Sequence, residues 1–248
     1  MAGHSKWANI RFRKGVQDAK RGKIFTKLVR EITQATREGG SDLDINPKLR
    51  IVRDKALRAN MTKDNIDRAI AKASGNLEGV IYSEYLYEGY APGGVAVLVA
   101  CLTDNKNRTV GEVRHAFSKF GGALGADGSV AFLFRKVGFI EFNAKNLTPD
   151  QAFEMLVDMG ADDVELEQGV CRVECHFSQL NDIQIRLQQE GYELIRAEIT
   201  FLPEQTVDVS DLEQAQKLMK FVDFLEDLDD VQNIYANYEI EQSLLENL

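Results

Sequence analysis

The order of strand and helix patterns between residues 137 and 201 limits the fold of this chain more than any other feature of the sequence. The patterns alternate between a period of two and a period near 3.6, and they predict strand, helix, strand, strand, helix and strand. This βαββαβ order is typical of a ferredoxin-like unit, in which two crossover helices pack on one antiparallel sheet. Pro203 follows the last strand, so we predict an inserted ferredoxin-like domain at residues 135–203. The predicted elements are strands 137–142, 163–167, 170–175 and 193–201 and helices 149–159 and 179–190.

A helical period dominates the first 80 residues. Apolar side chains recur at steps of three and four between Asp18 and Glu38, where Gly39 and Gly40 then stop the pattern. Similar patterns begin at Asn46 and at Thr62, and both residues are suitable helix N-caps. Three short helices with short connections predict a small helical bundle at residues 1–80.

The period changes to two after residue 80. Strands are predicted at 82–90 and 95–102, joined by a turn at Pro92 and Gly93, and a helix follows at 107–120. The last segment adds only a helix at 211–227 and a strand at 233–240, which are too little to fold alone. We therefore expect them to return to the hairpin and to form a discontinuous middle α/β domain. The predicted fold is α+β with three domains: 1–80, 81–134 plus 204–248, and 135–203.

Charge is divided unevenly along the chain. The formal net charge is -9, which taken alone argues against a nucleic-acid partner. However, residues 1–80 hold 18 Lys and Arg against nine Asp and Glu, whereas residues 81–248 hold 12 against 30. The first 30 residues hold nine basic side chains and one acidic side chain. One end of the chain is therefore suited to a polyanion, and the acidic domains are suited to a protein partner.

Basic residues of the first helix follow each other at steps of three, four, three and seven, which place them on one face, separate from the apolar stripe. They are Lys20, Lys23, Lys27, Arg30 and Arg37. Basic and aromatic residues precede this helix in a segment with little apolar surface to bury. The alternative is that these side chains only keep the protein soluble. If they bind phosphates, charge reversal at Lys20, Lys23 and Lys27 should abolish binding and leave the bundle folded. The candidate nucleic-acid-binding residues are Lys6, Trp7, Arg11, Arg13, Lys14, Lys20, Arg21, Lys23, Lys27, Arg30 and Arg37, with Lys106 and Arg108 as secondary contacts.

Patterns typical of enzymes and metal proteins are weak. The three histidines lie in no recognisable nucleophile motif, so we expect no catalytic residues and no cofactor. The cluster Cys171, Cys175 and His176 invites a zinc interpretation, but strand alternation places Cys171, Val173 and Cys175 in the core and Arg172, Glu174 and His176 at the surface. We therefore expect no metal. The glycine-rich residues 121–128 lack the ending of a phosphate-binding loop, and we interpret them as a structural linker or as a loop that lies close to a partner's backbone.

The sequence also carries signals about the compartment. Three cysteines are too few and too odd in number for a disulfide framework, which favours a reducing environment. No apolar run approaches the roughly 20 residues of a membrane-spanning helix, and no export signal follows the first residues. We expect a cytoplasmic protein without a membrane partner.

Several separated motifs resemble the YebC/PmpR family. They are GHSKWANI at 3–10, QDAKRGKIFTK at 17–27, YEGYAPGG at 87–94, TDNKNRT at 103–109 and GGALG at 121–125. The resemblance covers the whole chain and implies three domains, the ferredoxin-like one inserted into the middle one. It also implies a cytoplasmic, DNA-binding regulator of transcription. The alternative is a ribosome-associated translation factor that binds ribosomal RNA, since a mitochondrial relative is a translational activator of cytochrome oxidase.

Overall fold

The structure is a computed structural model, and it describes residues 21–75, 80–144 and 147–245. The chain is mixed α+β, as predicted, and it divides into two compact units. Among the described residues, the first unit contains 21–31, 80–135 and 203–245, and the second contains 32–75, 136–144 and 147–202. The division into three domains stays a prediction.

The elements are numbered in chain order. The helices are α1 (Arg21–Gly39), α2 (Pro47–Arg58), α3 (Lys63–Gly75), α4 (Lys106–Phe120), α5 (Pro149–Met159), α6 (Leu180–Gln189), α7 (Leu212–Glu226) and α8 (Gln242–Leu245). The strands are β1 (Ser83–Ala91), β2 (Val95–Thr103), β3 (Ala123–Leu124), β4 (Phe134–Asn143), β5 (Ala161–Glu167), β6 (Val170–His176), β7 (Leu194–Pro203), β8 (Val207–Val209), β9 (Val231–Ala236) and β10 (Tyr238–Ile240).

The first unit contains a four-stranded sheet in the order β3-β1-β2-β9. The hairpin β1-β2 is antiparallel with Gly89 opposite Val97, and β9 pairs with β2 in the return that was expected of the C-terminal segment. Helices α4 and α7 supply the buried Phe117 and Phe221, whose rings meet edge to face at 4.9 Å.

The single strand predicted at 233–240 is in fact two strands. Asn237 separates β9 from β10, which pairs with β8 in a separate parallel ribbon. The buried Asn237 side chain accepts from the Ala96 N–H at 2.7 Å and donates to the Gln205 carbonyl at 3.2 Å. An apolar and aromatic pattern cannot show this interruption, because the break depends on the two partners that the asparagine finds.

The glycine-rich loop after α4 is held by Glu88. The Glu88 carboxylate is buried and accepts from the N–H groups of Gly128, Val130 and Ala131 at 2.7, 2.8 and 2.7 Å. Burial raises the pKa of Glu88, but these three hydrogen bonds outweigh it and hold that pKa below its ordinary value. This arrangement agrees with the structural role predicted for residues 121–128.

The second unit contains the βαββαβ arrangement. Its sheet has the order β5-β6-β4-β7, and the pairs β4-β6 and β5-β6 are antiparallel. Helix α5 begins with a capping box between Thr148 and Gln151, and its buried residues Ala152 and Leu156 join the core on one face of the sheet. The helix occupies the predicted residues 149–159.

The cysteine strand β6 is partly as predicted. Cys171, Val173 and Cys175 are buried in the core, and His176 is exposed. The prediction that Arg172 and Glu174 lie at the surface is wrong, since they are 4% and 3% exposed. Arg172 can be buried because its guanidinium lies 3.3–3.4 Å from three carboxylates on neighbouring strands. Those carboxylates belong to Glu141, Glu165 and Glu167.

Candidate nucleic-acid interface

Three of the predicted cationic residues lie on the first half of α1. Lys23, Lys27 and Arg30 are separated by four and three positions, so they share one face of the helix. On another face, Leu28, Ile32 and Ala35 are buried, as the periodicity predicts. The two faces are therefore distinct, but the cationic face is not simply open to water.

The three cations contact the end of α7 and the turn that follows it. The Lys23 ammonium lies 3.0 Å from an Asp227 carboxylate oxygen and 3.2 Å from the Asp227 carbonyl. The Lys27 ammonium donates to the Glu226 carbonyl at 2.9 Å. The Arg30 guanidinium donates to the Asp229 carbonyl and to an Asp230 carboxylate oxygen, both at 2.8 Å. All three cations of α1 thus contact residues 226–230.

The electrostatics of α7 explain this contact. The last carbonyls of a helix lack intrahelical partners and carry partial negative charge. The last turn of α7 contains no basic residue, and acids at Glu226 and Asp227 add to the charge there. Cations from another segment can therefore stabilise this helix end. Burial lowers the pKa of Lys27, although the nearby Glu226 carboxylate opposes that effect.

Asp230 is the centre of the contact. Its side chain is 2% exposed and accepts from the hydroxyls of Thr103 and Thr109 at 3.1 and 2.8 Å. Arg108 donates to it from Nε at 3.2 Å and from Nη2 at 2.7 Å, in addition to the bond from Arg30. Burial raises the pKa of Asp230, but hydrogen bonds from Arg108, the two threonines and Arg30 together hold that pKa below its ordinary value.

The two predicted secondary contacts, Lys106 and Arg108, lie at the start of α4, and Arg108 belongs to the Asp230 cluster. The guanidinium of Arg108 also lies 2.9 Å from the Asp104 carboxylate, and the side chain is 43% exposed. Asn105 caps α4 by accepting from the Arg108 N–H at 3.1 Å. Lys106 is exposed, with its ammonium 5.0 Å from the Tyr85 ring centroid. The TDNKNRT motif therefore builds the start of α4 and part of the Asp230 site.

The remaining candidate residues fall into three groups. Arg37 is half-buried in the part of α1 that belongs to the second unit. The other six candidates lie outside the described residues: Lys6, Trp7, Arg11, Arg13, Lys14 and Lys20. Arg21 opens the described part of α1, where only its backbone is described. The expectation that charge reversal at Lys23 and Lys27 leaves the protein folded needs revision, because it would place negative charge against Glu226 and Asp227.

Sequence reasoning missed Asp230 and the turn around it. The signal was present, since residues 226–230 contain four acids directly after a helix that has no basic residue in its last turn. Such a helix end favours contacts with cations from another segment. Nothing in the local pattern identifies which cations they are.

Other sites are weakly supported by the structure. Among the described residues, no group of three or more His, Cys, Asp or Glu side chains is placed to hold a metal ion. Burial raises the pKa of each cysteine thiol to about 12, which makes these thiols poor nucleophiles. Within the same residues, no helix has the length and apolar character needed to cross a membrane.

Comparisons with known proteins cover most of the chain. Residues 5–76 match the TACO1/YebC protein N-terminal domain, and residues 82–238 match the TACO1/YebC second and third domain. A probable transcriptional regulatory protein of Methylococcus capsulatus is 55% identical over 249 residues, and one of Persephonella marina is 49% identical; each match covers 100% of both chains. The crystal structure of a conserved hypothetical protein from Aquifex aeolicus matches with a TM-score of 0.80 at 47% identity, over 91% of this chain and 93% of that one.

Proposed function

Because this chain belongs to the TACO1/YebC family, we propose that it is a DNA-binding regulator of transcription that docks through its basic N-terminal region. The observation that carries the proposal is the ratio of nine basic to one acidic side chain in the first 30 residues of a chain with a net charge of -9. The names of the Methylococcus and Persephonella relatives agree with a regulatory role. In this proposal the protein acts in the cytoplasm by binding DNA, without a catalytic step.

The contacts of α1 suggest a division of work among the basic residues. Lys23, Lys27 and Arg30 hold the helix to residues 226–230, so their first role in this proposal is to fix the direction of α1. The basic residues that precede them supply the phosphate contacts. Phosphate contacts provide affinity and register but no base preference. The acidic remainder of the chain repels the polyanion and so favours docking through one end.

A salt titration with a matched control tests this docking mode. The variant R11A/R13A/K14A removes three proposed phosphate contacts, and K63A/R68A/K72A removes three basic side chains from the exposed face of α3. Binding to a labelled DNA duplex is measured by fluorescence anisotropy over a range of salt. Each phosphate contact contributes about -0.9 to the slope of log affinity against log salt. The first variant should therefore flatten the slope by roughly 2.7, while the α3 variant leaves it unchanged.

The outcomes separate the docking mode from the choice of nucleic acid. Equal losses in the two triple variants would refute docking through the N-terminal region. The same titration with ribosomal RNA fragments and with purified ribosomes tests the nucleic acid itself. Binding to RNA or ribosomes with no measurable DNA affinity would overturn the DNA part of the proposal and would favour the ribosome-associated alternative.

A further inference from the structure

Helix α5 of the second unit has one face in the core and an apolar pair on its outer side. Ala152 and Leu156 are buried, and Met155 and Met159 pack partly against the same core. On the outer side Phe153 is 57% exposed and Val157 is 45% exposed. These two residues are four positions apart, so they are neighbours on the helix surface.

An exposed apolar pair on a regular helix is a recurrent form of binding surface. Apolar side chains scattered singly over a surface need no explanation, whereas contiguous apolar patches rimmed by polar residues are typical of interaction sites. The core requirement of α5 is already met by its other face, so Phe153 and Val157 do not serve the packing of this helix. Partners of this kind of face are commonly amphipathic segments that place apolar anchors against it.

The charge beside the pair restricts the chemistry of the partner. Asp150, Glu154 and Asp158 are exposed and follow each other at steps of four, which places them in a row next to Phe153 and Val157. From Leu147 to Gly169 the sequence has seven Asp and Glu and no Lys or Arg. Only two of these seven, Glu165 and Glu167, lie within ion-pair distance of the Arg172 guanidinium. The outer face of α5 therefore combines two apolar anchors with an acidic border.

We propose that the outer face of α5, formed by Phe153, Val157 and the acidic row 150/154/158, binds a basic amphipathic segment of a partner protein. Complementary charge selects this occupant. Nucleic acid and anionic membrane surfaces are repelled by the acidic row. A second copy of the same face would oppose like charges, which disfavours self-association through it. The proposal is independent of the DNA-docking proposal, because it uses different residues and the opposite sign of charge.

A peptide with the proposed chemistry tests the surface directly. The probe is a labelled amphipathic peptide of about 20 Leu and Lys residues, longer than the roughly 12–15 residues below which isolated helices are marginal in water, with its leucines on one face. The control peptide has the same composition with the leucines spread around the helix. Anisotropy titrations of the full-length protein should show preference for the amphipathic peptide. The double variant F153S/V157S should weaken its binding at least tenfold.

Two further variants separate the contributions of shape and charge. D150N/E154Q/D158N should weaken binding of the amphipathic peptide and reduce the salt dependence of that binding, because the variant removes the three negative charges. Some binding should persist, because the apolar anchors remain. F132S removes a phenylalanine that is 69% exposed in the other unit, and it should leave binding unchanged. Circular dichroism checks that each variant is folded, and unchanged DNA affinity in F153S/V157S would show that the two proposed surfaces act separately.

Several results would overturn this inference. Equal binding of the two peptides, or equal losses in F132S and F153S/V157S, would show that peptide binding does not use the outer face of α5. A concentration-dependent dimer that disappears in F153S/V157S would identify a second copy as the occupant. Binding of a labelled RNA or DNA oligonucleotide that is lost in F153S/V157S would identify nucleic acid as the occupant instead.

Discussion

Replacement of Asp230 by Asn tests whether the contact between α1 and the end of α7 stabilises the first unit. The carboxylate is buried and accepts charge-assisted hydrogen bonds from Arg30 and Arg108. Hydrogen bonds to charged groups contribute about 1.5–3 kcal/mol each, and removal of one partner of a buried ion pair costs about 3–5 kcal/mol. Arg108 is 43% exposed, so water compensates part of its loss. We expect D230N to lower the free energy of unfolding by about 2–4 kcal/mol.

Urea unfolding followed by circular dichroism measures this change. With a slope of about 2–3 kcal/mol/M, the midpoint of the transition should fall by about 1 M at neutral pH. Hydrogen exchange should locate the faster opening in residues 21–31 and 226–230. The control is D229N, because only the main-chain carbonyl of Asp229 accepts from Arg30 while its side chain is exposed. Its effect should stay within about 0.5 kcal/mol.

The pH dependence provides an independent check of the same reasoning. The pKa of Asp230 is lowered from its ordinary value of 3.8 in the folded protein. Its stabilisation is therefore fully present above pH 3.8 and is lost as the pH falls through the lower folded-state pKa. The difference between wild type and D230N should be constant near neutral pH, should shrink as the pH falls below 3.8, and should have disappeared below the folded-state pKa. Equal midpoints for wild type and D230N at pH 7, or equal shifts in D230N and D229N, would refute the assigned role.

Three further substitutions concern the glycine-rich loop and helix α4, which precedes it. E88Q replaces one of the two accepting oxygens by a donor, so we expect a loss of about 1–3 kcal/mol and faster amide exchange at residues 128–131; unchanged exchange would contradict the anchoring role. A Cβ at Gly122 would lie 2.5 Å from the Tyr90 carbonyl oxygen, so G122A should lower the melting temperature. G111A has open space on the exposed side of α4 and should raise the stability by up to about 1 kcal/mol; a lower melting temperature for G111A than for G122A would contradict this account.

Local patterns predicted the elements of this chain well. Helix 149–159 agrees to the residue, because Thr148, Pro149 and Gly160 mark its ends by cap chemistry that involves only neighbours. The alternation in β6 correctly placed Cys171 and Cys175 in the core. It failed for Arg172 because alternation shows which side of a strand a residue faces and does not show whether other groups cover that side.

The candidate interface shows a deeper limit of the sequence. Periodicity alone placed Lys23, Lys27 and Arg30 on one helix face. The distribution of Lys and Arg along the sequence alone showed that positive charge is concentrated at one end of the chain. Only the tertiary structure shows that these three cations meet residues 226–230, about 200 positions away along the chain. A helix face is determined by local geometry, so the sequence determines it. The partner of a charged side chain depends on which distant segment the fold brings within a few ångströms of it. The sequence does not determine that partner, because a long-range attraction between many acids and many bases does not select one pair.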